Sequence, residues 1–205
     1  MEDVLDVYQR PYDPLLPVVC VDEMNKQLIK ETRIPCEPGQ PEKVDYEYER
    51  NGVANVFMIS EPLAGKRDTI VNETRNAIDF AHVLKHTSDV MYPHAEKIIL
   101  LTDNLNIHIT ASLYKAFSPG EAHRIANRFE WHYTPKHGSW LNMAEIEIRV
   151  MCQQTLGKPM PDMESFRKQV KDWNIRRNIE CGKINWQFTT KDARIKLKKL
   201  YPVIL

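Results

Sequence analysis

The stretch Val18-Val19-Cys20-Val21-Asp22-Glu23 decides the fold, because it joins an uninterrupted apolar run to two carboxylates. Short continuous apolar runs rich in β-branched residues are typical of strands that are buried on both faces of a sheet. The stretch Ile98-Ile99-Leu100-Leu101-Thr102-Asp103-Asn104 is built in the same way. We therefore predict two buried strands, each of which delivers an aspartate at its carboxyl end.

A third stretch supplies a glutamate. Residues 133–145 read Tyr-Thr-Pro-Lys-His-Gly-Ser-Trp-Leu-Asn-Met-Ala-Glu, which indicates a strand end and a loop leading into a helix. Strands that present Asp22 and Asp103, together with a helix that presents Glu145, can assemble a carboxylate cluster. Such a cluster can hold two divalent metal ions, which is equipment for phosphodiester chemistry.

The remaining patterns place these stretches in an alternating order of strands and helices. The dipeptide Asn51-Gly52 between Tyr46–Arg50 and Val53–Ile59 predicts a β-hairpin. A third strand is predicted near Lys66–Glu73, after a turn at Pro62–Gly65, and residues 31–44 are predicted as a loop. Helical periodicity predicts the following helices: Asn76–Met91, Ala111–Phe117, Gly120–Asn127, Ser139–Leu156, and Met163–Ile179 with Phe166, Val170 and Trp173 facing inward. Phe129–Tyr133 is predicted as another strand.

Composition narrows the class of protein. The chain has 205 residues, 42% of them hydrophobic and 27% charged, as in an ordinary globular domain. No apolar run approaches the length of a membrane span, and the first residues lack a signal pattern. The four cysteines are scattered, which favours reduced thiols over disulfides or structural zinc. These features predict a cytoplasmic protein without a membrane partner.

The net charge of zero hides an asymmetry along the chain. Residues 165–205 contain eleven Lys and Arg against three Asp and Glu, so this segment carries +8 and the first 164 residues carry −8. A basic segment on an acidic domain suits a polyanionic partner, because phosphate contacts release counterions. A solvated helix face explains the same charges, so the asymmetry is supporting evidence only.

Four motifs in order resemble the DDE transposases of bacterial insertion sequences, specifically the IS-six-thirty branch that is related to mariner elements. The motifs are Val-Val-Cys-Val-Asp22-Glu23, Tyr-Glu-Tyr-Glu-Arg-Asn-Gly at 46–52, Asp103-Asn104-Leu105-Asn106-Ile107-His108, and His132–Glu145. The resemblance extends to the ending Phe188–Leu197 and so covers nearly the whole chain. It implies an α/β fold of the ribonuclease-H-like type, with a mixed five-stranded sheet flanked by helices.

The resemblance also implies a division of the chain and a chemistry. Residues 1–17 would be a lead-in segment, 18–160 the ribonuclease-H-like catalytic domain, and 161–205 a basic helical extension packed on the same domain. Asp22, Asp103 and Glu145 would be the catalytic triad and would hold two Mg²⁺ or Mn²⁺ ions. The implied activity is cleavage and strand transfer of DNA at transposon ends and target, by a homodimer associated with a bacterial nucleoid.

One departure lies at the front of the chain. Relatives of this type carry helix-turn-helix DNA-binding modules before the catalytic domain, and only 21 residues precede Asp22. We therefore expect this chain to lack that module. Two alternatives to an active transposase stay open: a catalytically silent remnant that binds only DNA or a partner transposase, and a host ribonuclease-H-like nuclease.

Further residues are candidates for supporting parts. Glu23, Asn104 and His108 could support the triad, although a helix cap or a local hydrogen bond explains the last two equally well. Glu147 lies about 200° around the helix from Glu145 and is predicted to be solvated. Trp140 could stack on a base or anchor the core. The candidate DNA-binding residues are Lys136, His137, Trp140, Arg176, Arg177, Lys196, Lys198 and Lys199.

Overall fold

The structure, a computed structural model, describes residues 1–31, 48–136 and 138–201. The strands are β1 (Val18–Glu31), β2 (Tyr48–Glu61), β3 (Lys66–Asn72), β4 (Ile98–Thr102) and β5 (Phe129–Tyr133). The α-helices are α1 (Glu2–Tyr8), α2 (Ala77–His86), α3 (Leu113–Ala116), α4 (Pro119–Ala126), α5 (Ala144–Gln154), α6 (Met163–Glu180) and α7 (Thr190–Lys196). No helix within the described ranges has the length and apolar character that crossing a membrane requires.

The five strands form one mixed sheet in the order β3-β2-β1-β4-β5. The pairs β1–β2 and β2–β3 are antiparallel, whereas β1–β4 and β4–β5 are parallel. Three antiparallel strands followed by alternating helices and parallel strands is the ribonuclease-H-like order, and the predicted fold class is confirmed. The predicted buried strand that leads to Asp103 is observed as β4, in which every residue is buried.

Two hydrophobic cores cover the two faces of the sheet. Alternate residues of β1 point to opposite faces, so Cys20 joins one core and Val19 and Val21 join the other. The first core packs the sheet against helices α1, α5, α6 and α7, and the second packs it against α2 and α4. The sheet is therefore covered on both sides, as its parallel half requires.

Both ends of the described chain pack onto the first of these cores. Helix α1 buries Val4, Leu5, Val7 and Tyr8, and helix α6 buries the predicted inward residues Phe166, Val170 and Trp173. Arg194 of α7 binds Glu2 of α1 through two contacts of 2.8 Å. The segments 1–17 and 161–201 thus contribute to the same hydrophobic core as the sheet.

The prediction of a hairpin at Asn51-Gly52 is wrong. Strand β2 runs without a turn through both residues, and it pairs with β1 on either side of them. Between the pairs Gln27–Val53 and Ile29–Arg50, β2 uses one residue more than β1, which is a β-bulge. Gly52 has φ +91°, a conformation that glycine adopts readily, so the same two residues that favour a turn also favour a bulge.

Strands β1 and β2, with 14 residues each, are much longer than the five residues of β4. Strand β4 pairs only with Val18–Cys20, so the later half of β1 extends beyond it. On this stretch Ile29 N–H donates to Met160 O (2.6 Å) and Lys26 Nζ donates to Leu156 O (2.9 Å). The segment that follows α5 therefore lies along the end of β1.

Three predicted helices differ in detail. The helix predicted over 111–117 is a 3₁₀ turn, Thr110–Ser112, followed by a single α-helical turn, Leu113–Ala116. The helix predicted over 76–91 is an α-helix capped by Asn76, and it ends in a π-helical turn, Thr87–Met91. The helix predicted over 139–156 begins instead with a 3₁₀ turn, Ser139–Leu141, and only Ala144–Gln154 is α-helical. Most of the predicted loop at 31–44, the first residues of the predicted hairpin and His137 lie outside the described residues.

The bulge gives a test of the β1–β2 register. We expect Gly52→Ala to lower the free energy of unfolding by about 1–2 kcal/mol, because a side chain at positive φ is strained. Urea denaturation would measure the change. Gly120→Ala is the matched control, since Gly120 lies in α4 with open space around its Cα, and it should be neutral or stabilising. Equal stabilities for both variants would contradict the bulge.

Candidate active site

The parallel pairing of β1 and β4 brings two aspartates to the same level of the sheet. Cys20 pairs with Leu101, and Asp22 and Asp103 each follow two residues later. Neighbouring strands lie about 4.8 Å apart, so side chains at matching positions are neighbours. Asp22 is 8% exposed, and the side chain of Asp103 is 20% exposed. The structure therefore brings the two predicted aspartates together at the carboxyl end of β4.

Glu145 lies in the first turn of α5, and Asn142 fixes where that helix begins. The Asn142 side chain is fully buried, its Nδ2 donates to Val21 O (2.9 Å), and its Oδ1 accepts from Ala144 N–H (3.1 Å). The residue before Asp22 is thus tied to the residue before Glu145. Tyr8 adds a second tie, because its hydroxyl donates to Leu141 O (2.7 Å) and accepts from Met143 N–H (3.2 Å).

The electrostatics of Asp22 reflect this crowding of carboxylates. Burial raises the pKa of Asp22 to about 7, and the negative charges of Glu23, Asp103 and Glu145 add to the increase. The Glu23 N–H, which donates to Asp22 Oδ1 (2.8 Å), acts in the opposite direction. Asp22 therefore lies within the field of both other predicted triad members, and a cation at this site would relieve the repulsion.

Behind the aspartates, His108 lies between two carboxylates. Its Nδ1 is hydrogen-bonded to Asp103 Oδ1, and its Nε2 lies 3.0 Å from Glu23 Oε2, an ion-pair distance without good hydrogen-bond alignment. The ring is fully buried and packs against Phe80 with 4.4 Å between ring centroids. Glu23 and His108 thus support Asp103 from the sheet face opposite to the face on which Asp22 lies.

The charge of His108 follows from its partners. Burial alone would lower the pKa of this imidazole, but the hydrogen bonds and negative charges of Asp103 and Glu23 outweigh it and raise the pKa to about 9. These partners therefore favour the protonated, cationic form of His108. It balances part of the negative charge that the cluster of acidic residues concentrates.

The donor set suits a hard divalent cation, because Asp22, Asp103 and Glu145 offer only carboxylate oxygens. Among residues 1–31, 48–136 and 138–201, however, no three His, Cys, Asp or Glu side chains converge closely enough to form a metal-binding group.

A cavity of about 410 Å³ opens beside Asp103. Its lining residues are Asp103, Asn104, Leu105, Thr134, Pro135, Lys136 and Ser139. A second cavity of about 280 Å³ shares Pro135 and Lys136 with the first and is bordered by Trp140 and Leu200. The loop after β5, which carries Pro135 and Lys136, thus lies between the two cavities. Trp140 is 44% exposed, so it lies at the surface and not in the core.

The predicted DNA-binding residues fall into three groups. Lys136 and Trp140 are exposed beside the cavities, and Lys198 and Lys199 are exposed in a 3₁₀ turn that ends at Leu200. Arg176 and Lys196 are exposed on α6 and α7, and Lys196 Nζ lies 5.6 Å from the centre of the Phe188 ring. Arg177 differs, because its guanidinium binds Glu147 and is only 18% exposed.

The prediction that Glu147 is solvated is wrong. Its side chain is fully buried and lies between Arg67 of β3 and Arg177 of α6. Helical periodicity correctly placed Glu147 and Glu145 on different faces of the helix. It could not show that Arg67 and Arg177 lie against the face that carries Glu147. Sequence reasoning also missed Asn142 and Arg67, whose partners are far away along the chain.

The fold places this protein among the ribonuclease-H-like α/β proteins. Residues 17–167 match the family described as DDE superfamily endonuclease, and the chain belongs to that family. This match confirms the resemblance found in the sequence motifs. A search of curated proteins finds no match.

Two solved structures illustrate the similarity of the fold. The mariner Mos1 paired-end complex with Mg has a TM-score of 0.56 and 18% sequence identity, and the match covers 86% of this chain and 53% of that one. The Mos1 mariner paired-end complex with Mn has a TM-score of 0.52 and 18% identity, with 87% and 54% covered. The chain therefore spans about half the length of the Mos1 chains it matches.

The bridge between β1 and α5 can be tested through Asn142. We expect Asn142→Ala to lower the free energy of unfolding by about 2 kcal/mol, because it leaves Val21 O and Ala144 N–H without their buried partner. Chemical denaturation would measure the loss. Asn104→Ala removes the same group from an exposed position and should change stability by less than about 0.5 kcal/mol. Similar losses for both variants would exclude the bridge as a stabilising contact.

Proposed function

We propose that this chain is the catalytic domain of a DDE transposase that cleaves DNA phosphodiester bonds and joins the released strands to a target. One observation carries the proposal: β1 and β4 present Asp22 and Asp103 in matching register, and Asn142 ties the start of the Glu145 helix to β1 beside them. Membership of the DDE superfamily endonuclease family supports the same reaction class.

Asp22, Asp103 and Glu145 are the residues that would hold two Mg²⁺ or Mn²⁺ ions. Bound metal would activate a water or a DNA 3′-hydroxyl and would stabilise the leaving oxygen. Asp103 borders the cavity of about 410 Å³, which leaves space for the waters and phosphate oxygens that Mg²⁺ takes as further ligands. Two of the similar Mos1 structures are complexes with Mg and Mn, which supports the choice of ion.

The other residues of the site would orient these carboxylates. His108 would hold Asp103 in one rotamer through its Nδ1, and Glu23 would hold the opposite edge of the same ring. Such outer partners commonly fix the direction of a metal ligand. Asn104 lines the same cavity as Asp103 and would contact a phosphate or a water there.

DNA would lie across the two adjoining cavities. Lys136 lines both of them, Trp140 borders the second, and the turn that carries Lys198 and Lys199 reaches its rim through Leu200. Cations there would bind the phosphate backbone, and an exposed tryptophan can stack on an unpaired base. Arg176 and Lys196 would extend this basic surface. Arg177, which is committed to Glu147, would not.

Transposon ends and target DNA are the proposed partners, and a homodimer is the proposed assembly. The similar Mos1 structures are paired-end complexes, which supports two chains acting on two ends. Recognition of particular end sequences would require a helix-turn-helix module that is not among the elements of the described residues. The proposed place of action is the DNA of a bacterial nucleoid.

Metal-dependent nicking of supercoiled plasmid tests the proposed chemistry. We expect cleavage with Mn²⁺ or Mg²⁺, no cleavage with EDTA, and at least about a hundredfold slower cleavage for Asp22→Asn, Asp103→Asn and Glu145→Gln. The exposed carboxyls of α6 supply matched controls, Asp172→Asn and Glu164→Gln, which should cleave at the wild-type rate. A folded wild-type chain that binds DNA without cleaving it would support the silent-remnant alternative instead.

Salt dependence of DNA binding tests the proposed surface. We expect Lys136→Gln, Lys198→Gln and Lys199→Gln each to weaken duplex binding and to reduce the slope of log K against log salt by about 1. Fluorescence anisotropy at several salt concentrations would give the slopes. Lys97→Gln is the control, because Lys97 precedes β4 and lies at the opposite end of that strand from Asp103. An unchanged slope for all three variants would show that DNA binds to a different surface of the protein.

A further inference from the structure

A fully buried carboxylate lies on the same helix as Glu145 but on the other side. The Glu147 side chain is 0% exposed, and two guanidinium groups from different elements hold it. Arg177 of α6 donates from Nε to Oε2 (3.1 Å) and from Nη2 to Oε1 (3.0 Å). Arg67 of β3, itself 1% exposed, places Nε 3.2 Å from Oε2 and Nη2 3.5 Å from Oε1.

The arginines are themselves fixed to the protein backbone. Arg67 Nη1 donates to Arg177 O (2.7 Å), and Arg67 Nη2 donates to Gly182 O (2.7 Å). Asn178 bonds to both backbone groups of Arg67, accepting from its N–H (2.9 Å) and donating to its carbonyl (2.8 Å). The end of α6 is thus attached to β3, and the carboxylate of Glu147 attaches α5 to both.

This arrangement restricts how α5 can turn. Residues 145 and 147 lie about 200° apart around the helix axis, so the rotation that sets one side chain also sets the other. A buried carboxylate cannot leave its two cations without a large electrostatic cost, because removal of one partner leaves an uncompensated buried charge. Buried networks whose members are hydrogen-bonded favour one discrete arrangement, and among these three side chains only Arg67 Nε has an ion-pair contact without an aligned hydrogen bond.

We propose that Glu147 is a positioning residue for the DNA cleavage site, and that the joint Arg67–Glu147–Arg177 sets the rotation of α5 that aims Glu145 at Asp22. The inference rests on the proposed function, since it assigns Glu145 to the site. It also gives the C-terminal segment a second role besides DNA binding, because α6 fixes the position of α5 relative to the sheet. Misplacement of a catalytic group by about 1 Å costs about a hundredfold in rate.

Stability alone is the competing explanation for the joint, and it makes a different prediction. Replacing a buried ion cluster by apolar residues of similar volume is often neutral or stabilising, while breaking it on one side is destabilising. An apolar replacement of all three side chains therefore removes the buried charges together with their directional contacts, and it also removes the two hydrogen bonds that Arg67 donates to Arg177 O and Gly182 O. The triple variant Arg67→Met, Glu147→Met, Arg177→Met separates the two explanations, with the near-isosteric Glu147→Gln as the single change.

The experiment measures three quantities for each variant: the melting temperature, the Mn²⁺ dissociation constant by calorimetry, and kcat and KM for plasmid nicking. For Glu147→Gln, assayed well below its melting temperature, we expect kcat to fall about a hundredfold with an unchanged KM for DNA. We expect its Mn²⁺ binding to weaken about tenfold. The triple variant should melt above Glu147→Gln and show the same losses. Glu164→Gln, exposed on α6, should match the wild type.

Three outcomes would overturn the inference. Wild-type Mn²⁺ binding and kcat in folded Glu147→Gln would overturn it and leave the proposed function standing. Recovery of kcat together with stability in the triple variant would also overturn it, in favour of stability alone. If the wild type neither binds Mn²⁺ nor cleaves plasmid, the proposed function fails and the inference fails with it. Should the triple variant not fold, the Glu147→Gln result alone decides.

Discussion

The parallel pairing of β1 with β4 is the constraint on which the rest of the site depends. It spans only Val18–Cys20 and Ile99–Leu101, yet it sets Asp22 level with Asp103. A slip of one residue would turn one aspartate to the other face of the sheet. The apolar residues of both strands prevent that slip, because every side chain from Ile98 to Leu101 fills one of the two hydrophobic cores.

The third carboxylate is placed by contacts from outside the sheet. Asn142 reaches Val21 O just before α5 begins, and Arg67 and Arg177 hold Glu147 in the first turn of that helix. The first contact sets where the helix begins, and the second limits its rotation about its own axis. Elements from both ends of the chain take part, since Tyr8 of α1 bonds at the start of the helix and Arg177 belongs to α6.

The sequence predicts the parts of this protein that depend on local pattern. The runs before Asp22 and Asp103, the strand Phe129–Tyr133 and the inward face of α6 are all observed as predicted. Local pattern fails where a distant partner decides the outcome. Asn51-Gly52 is read as a turn because a bulge uses the same conformational freedom, and Glu147 is read as solvated because Arg67 lies 80 residues away in the chain. Asn142 interrupts a predicted helix for the same reason, since its partner Val21 lies in β1, 121 residues earlier in the chain.

The unequal lengths of β1 and β4 have a consequence for solubility. Beyond Cys20, the side of β1 that faces β4 has no strand partner in the described part of the chain, and an unprotected strand edge is a template for aggregation. On this edge the N–H of Ile29 donates to Met160 O, and the charged Nζ of Lys26 donates to Leu156 O. The connection between α5 and α6 therefore covers this edge of β1 and blocks further strands from pairing with it.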